Sequence, residues 1–124
     1  MKKRSDRAGK IGELGEIAAR EYLLEQGIIV IAGNIRTEYG EIDILGLDGN
    51  VMVFFEVKTR KSKKFGYPEI SIDQTKMEHM VNSAMKYLQD HPEINNDWRI
   101  DVVAITKYDE QPSQIKWFKN AISG

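Results

Sequence analysis

Gly40-Glu41-Ile42-Asp43-Ile44-Leu45-Gly46-Leu47-Asp48-Gly49-Asn50-Val51-Met52-Val53-Phe54-Phe55-Glu56-Val57-Lys58-Thr59-Arg60 reads as two β-strands and the turn between them. Gly49-Asn50 is a two-residue hairpin signal between apolar runs. If it is the turn, Asp48 stands opposite Val51. Counting away from the turn sets Leu45 against Phe54, Asp43 against Glu56 and Glu41 against Lys58. Residues directly opposite share a sheet face, with Cβ atoms about 5 Å apart. Glu56 and Lys58 must share a face in any register, because side chains alternate along a strand. Val53, Phe55 and Val57 on the other face read as core.

Two carboxylates side by side among apolar neighbours repel unless something compensates them. A divalent cation does so through oxygen ligands, and Mg²⁺ keeps several of its waters. Lys58 is then placed to position a water or to stabilise charge developing on a phosphate. The same residues also allow a purely structural arrangement, with Glu41–Lys58 and Asp43–Lys58–Glu56 as cross-strand ion pairs.

Outward from the hairpin, residues 5–26 predict a helix, with Ile11, Leu14, Ala18 and Tyr22 as its apolar stripe and Gly27 as its stop. Gly12, Gly15, Ala18 and Ala19 are small and suggest close packing on a sheet. Residues 28–36 open with the β-branched run Ile28-Ile29-Val30-Ile31. A second helix is expected over 73–89, with Met77, Val81, Ala84 and Leu88 facing the core. Strands follow at Arg99–Ile105 and Ile115–Lys119. The order α-β-β-β-α-β-β predicts an antiparallel meander, then a crossover to a parallel neighbour. The expected fold is an α/β mixed sheet with helices on both faces, in a single domain spanning 1–124.

The chain carries 18 Lys/Arg, 19 Asp/Glu, two His and no Cys, for a net charge of −1. Disulfides and thiolate metal sites are excluded, and an imidazole-rich zinc site is not expected. The basic start Met1–Arg7 is followed by no apolar run of signal-peptide length. Nothing approaches the roughly 20 apolar residues of a membrane span. A cytoplasmic protein without a membrane partner is the expectation. Near-neutral charge does not fit bulk nonspecific nucleic-acid binding, but five basic residues fall within Lys58–Lys64. Such a patch suits phosphates, or is simply a solvated loop.

Several other residues have two readings. Glu16 is a third acidic ligand or pairs with Arg20 at i,i+4. Gln74 touches phosphate or closes a Ser71-x-x-Gln74 capping box. Lys76 contacts phosphate from the first turn of the second helix. Arg36 and Arg60 sit at the mouth of the site, as phosphate contacts or as surface ion pairs. Asp101 reads as a structural hydrogen-bonding acid, Glu13 as solvent-facing, and His79 and His91 as surface residues.

Taken together, Gly12-x-x-Gly15-Glu16, Asn34-x-Arg36, Gly40-Glu41-Ile42-Asp43, Phe55-Glu56-Val57-Lys58-Thr59-Arg60, Phe65-Gly66 and Arg99-Ile100-Asp101-Val102-Val103 resemble the YraN-like family of uncharacterised bacterial proteins. That family is similar to archaeal Holliday-junction resolvases and belongs with the PD-(D/E)xK restriction-endonuclease-like proteins. The resemblance runs from Lys10 to about Ile105. It implies a restriction-endonuclease-like αβββαβ core, a carboxylate-bound Mg²⁺ or Mn²⁺, and hydrolysis of phosphodiesters in DNA, including branched or otherwise structured DNA. Asp43 matches the first acid of the motif, Glu56 the second, Lys58 the lysine, and Glu16 the helix glutamate of resolvase-like members. Ile42 replaces the motif's proline. Metal capture is then expected from Asp43, Glu56 and Glu16, and phosphate contact from Arg36, Arg60, Lys61, Lys63, Lys64 and Lys76. A homodimer is expected by analogy with resolvases. The alternative is a noncatalytic nucleic-acid-binding or protein-interaction module that keeps the fold.

Overall fold

The computed structural model describes residues 7–62 and 72–122, with side chains from residue 14 onward. Helix α1 (Arg7–Glu25) leads into strands β1 (Ile29–Thr37), β2 (Gly40–Asp48) and β3 (Val51–Ser62). Helix α2 (Gln74–Asp90), β4 (Trp98–Tyr108) and β5 (Gln114–Ile122) complete the order. The strands lie in the sheet as β1-β2-β3-β4-β5. β1–β2, β2–β3 and β4–β5 are antiparallel, and β3–β4 is parallel. This is the mixed αβββαββ sheet that the sequence predicts.

The hairpin follows its turn. Gly49 takes φ +62°, a left-handed value that glycine adopts without cost from a Cβ. Asp48 then pairs with Val51, Leu45 with Phe54 and Ile44 with Phe55. The count from the turn overshoots by three rungs, because pairing ends at Ile44–Phe55. Asp43–Glu56 and Glu41–Lys58 are not rungs of the ladder.

Alternation sorts the core into two layers. Leu45, Met52, Phe54, Ile100 and Val102 pack with Met80 and Ala84 of α2. Ile44, Val53, Phe55, Val103 and Ile105 pack with Ala19 and Leu23 of α1 on the opposite face. The α2 stripe is as expected, with Met77, Val81 and Leu88 packed around it, though Met80 is buried more deeply than any of these three.

The α1 stripe is rotated. Ala19 and Leu23 are fully buried while Leu14 is half exposed, with Ala18 and Tyr22 at the margin. The cause is Gly15. A Cβ there would run into the Thr59 hydroxyl of β3. The helix therefore seats its smallest residues against the sheet, and larger Leu14 is turned away.

The α2 N-terminus also differs from expectation. Asp73 is the N-cap, its carboxylate accepting from the Lys76 N–H at 2.7 Å. Gln74 is therefore the first helical residue, and its amide donates to Glu78 at 3.3 Å. Ser71 lies outside the described residues. The β1–β2 turn is held to α2 by the Thr37 and Ser83 hydroxyls, 2.9 Å apart.

Candidate functional site

β2 and β3 stop pairing where the chain turns polar, and Asp43 stands at that parting. Its Oδ2 accepts the Val57 N–H at 2.8 Å, so a side chain occupies a gap that a carbonyl would otherwise bridge. Asp43 is 7% exposed. Its carboxyl is pushed up to about 8. Burial is the largest cause, the charge of Glu56 is next, and Glu16 and Glu41 add to it against the Val57 hydrogen bond.

Glu16 from α1 and Glu41 and Asp43 from β2 each bring a carboxylate oxygen within 4.8 Å of the others. Glu56 keeps the face of Met52 and Phe54, the α2 side, where its Oε2 lies 3.3 Å from the Lys76 ammonium. Four acids thus converge on one end of the sheet from three elements. The tightest group is Glu16–Glu41–Asp43, with Glu56 set beside it and paired to α2.

Oxygen donors of this kind suit a hard divalent cation. The donor set fits, because a largely buried carboxyl held among like charges is relieved by positive charge. Glu41 was not among the expected ligands. Its signal was present: two residues before Asp43 on one strand, it should share a face with it. The competing Glu41–Lys58 pairing hid that signal. In the structure Glu41 lies 3.7 Å from Arg36 Nε.

The remaining expected residues fall as follows. Lys58 is half-buried on β3 beside Ala104 of β4. Arg60 is half-buried and Lys61 exposed at the end of the same strand. Arg36 is largely solvent-facing, and a cavity of about 310 Å³ opens between Arg36, Thr37, Gly40 and Glu41. Lys76 engages Glu56 instead of standing clear for phosphate. Lys63, Lys64, Phe65, Gly66 and the side chain of Glu13 lie outside the described residues. The Arg20 guanidinium lies against Gly33, with its buried Nε unpaired among the described residues.

Asp101 is structural, as its surroundings suggested. Fully buried, it accepts from Arg99 Nε at 3.0 Å, Trp117 Nε1 at 2.9 Å and the Asn120 N–H at 2.7 Å. Arg99 also binds Asp48 at 2.8 Å, which holds the Asp48 carboxyl below its ordinary value. This network ties β2, β4 and β5 together at the turn end of the hairpin. His79 is exposed, but His91 is half-buried and stacked on Tyr87, with Nδ1 2.8 Å from the Tyr87 carbonyl.

Fold and site together define an α/β protein of the αβββαβ type, with a carboxylate cluster where its second and third strands part. The chain belongs to the uncharacterised protein family UPF0102, whose model matches residues 15–105, and this bears out the YraN-like resemblance. A UPF0102 protein of Dichelobacter nodosus is 37% identical over 113 residues, covering 91% of this chain and 89% of the relative. One from Caldicellulosiruptor saccharolyticus is 41% identical over 96 residues, covering 77% and 81%. One from Thermodesulfovibrio yellowstonii is 41% identical over 100 residues, covering 77% and 85%. Among the described residues no helix is long and apolar enough to cross a membrane.

Proposed function

We propose that this protein is a divalent-metal-dependent endonuclease acting on DNA, including branched or otherwise structured DNA. The observation that carries the reading is Asp43: a largely buried acid at the parting of β2 and β3, facing Glu16, Glu41 and Glu56. Asp43, Glu16 and Glu41 would hold Mg²⁺ or Mn²⁺, with Glu56 joining from β3. The cation would supply Lewis-acid polarisation of a phosphoryl oxygen and a more acidic bound water. The chain's own residues do the rest. Lys58, two residues beyond Glu56, brings a positive charge to the same end of the sheet, suited to a phosphate that gains charge during hydrolysis. Arg36 and Lys61, exposed on either side, hold flanking phosphates, and Lys63 and Lys64 follow Lys61 in sequence.

One observation favours a second reading, a noncatalytic nucleic-acid-binding module. Lys76 pairs with Glu56 at 3.3 Å, so the second acid of the motif already has a cationic partner within the chain. Direct Mn²⁺ titration separates the two. The endonuclease reading expects binding by the parent and a loss of about tenfold or more in Asp43→Asn. Neutralising Lys61, Lys63 and Lys64 together should leave Mn²⁺ binding intact but weaken DNA binding for all sequences and flatten its salt dependence, because phosphate contacts release counterions. DNA binding without any Mn²⁺ binding would select the noncatalytic module.

A further inference from the structure

Residues two apart on a regular strand share a face. Ile42 and Ile44 do not: Ile42 packs in the α2 layer and Ile44 in the α1 layer. The neighbouring strand changes face at the same rung. Gly33 lies against Arg20 of α1, while Ile35 packs in the α2 layer. The pairs Gly33–Ile44 and Ile35–Ile42 keep one register, so no residue is inserted between them. What lies between is the unpaired rung Asn34/Asp43, and Asn34 has φ +53°. A left-handed backbone is uncommon for residues with a Cβ and easiest for Gly, Asn and Asp.

The rotation decides where the acids go. Simple alternation from Leu45 and Leu47 would send Asp43 and Glu41 to the α2 side. Instead both bring a carboxylate oxygen within 4.8 Å of Glu16 of α1, and Asp43 reaches across to the Val57 N–H. Asn34 is itself exposed, so its side chain fills no core space and its influence runs through the backbone.

We propose that Asn34 is a positioning residue: its left-handed conformation turns the β1–β2 ribbon so that Glu41 and Asp43 meet Glu16. The value of this for metal binding rests on the function proposed above, whereas the geometric claim does not. The test compares the parent with Asn34→Gly, which keeps left-handed freedom, and Asn34→Ala, which resists it. Val57 amide hydrogen exchange reports the Asp43 contact without metal, and Mn²⁺ titration reports the cluster. Asn34→Gly should match the parent in both. Asn34→Ala should lose Val57 protection and weaken Mn²⁺ binding by about tenfold. If Asn34→Ala does not fold, Asn34→Ser repeats the comparison. Unchanged Val57 protection in a folded, non-glycine variant overturns the proposal. Loss of Val57 protection, with no Mn²⁺ binding even by the parent, upholds the positioning role and removes the metal-site reading.

Discussion

Asp43 carries its site's chemistry in its own titration. In the unfolded chain its carboxyl has the ordinary value of 3.8, and in the folded chain it is pushed up to about 8. The folded state therefore holds the proton more tightly. The resulting stabilisation is full below the unfolded value and is lost as pH rises through about 8. Metal-free protein should accordingly show a falling urea midpoint between about pH 5 and about pH 8, with Asp43→Asn falling less steeply. Added Mg²⁺ should restore the parent at the upper end, because a ligand bound only by the folded state stabilises it by mass action. Parallel pH profiles for parent and variant would contradict this account of Asp43.

At the scale of elements, α1 is positioned by what it lacks. Gly15 lets the helix backbone close on Thr59 and brings Glu16, the next residue, to the acids of β2. Gly15→Ala should cost about 1–3 kcal/mol through overpacking, offset in part by the better helix propensity of Ala. Chemical denaturation measures the stability loss, and Mn²⁺ titration should show weaker binding as Glu16 withdraws. A variant as stable as the parent, with unchanged Mn²⁺ affinity, would contradict the close packing.

Elements also show what was legible in the sequence. Gly49-Asn50 and the alternation of 51–57 were enough for the hairpin and its first rungs, because turn chemistry and period-2 burial are local signals. On α1 the close packing of Gly15 and Ala19 is legible from their small size, but the apolar stripe of Leu14, Ala18 and Tyr22 points to a neighbouring face, because hydrophobicity favours large residues whereas close approach selects small ones. The α2 cap is Asp73, a good capping type that the Ser71-x-x-Gln74 spacing drew attention away from. The face change at Asn34/Asp43 had only Asn34 as a sign, and strand periodicity carries no warning of a twisted rung. Asp43, Glu56 and Lys58 stand out from the hairpin count and strand alternation, and Glu16 from the family resemblance, but the pairing of Glu56 with Lys76 and the grouping of Glu41 with Glu16 need three dimensions.

For the whole molecule, the two ends of the sheet differ in character. The turn end is closed by Asp101, Arg99, Asp48 and Trp117, a satisfied polar network that binds β2, β4 and β5. The other end is where β2 and β3 part and the acids gather, with Arg36 Nε 3.7 Å from Glu41 and with Lys58 and Lys61 following Glu56 along β3. A hydrogen-bonded end and an acid-lined end suit the enzyme proposed above, in which a cation bound by the acids would meet the phosphodiester. The central claim is that this cluster hydrolyses DNA. Its most direct test is a cleavage time course on linear, branched and single-stranded DNA with Mg²⁺ or Mn²⁺, run beside Asp43→Asn and a chelator control. The account predicts metal-dependent cleavage by the parent on at least one substrate, abolished in Asp43→Asn while DNA binding is largely kept. Cleavage by Asp43→Asn at the parent's rate, or no cleavage of any substrate by a parent that binds both metal and DNA, would contradict it.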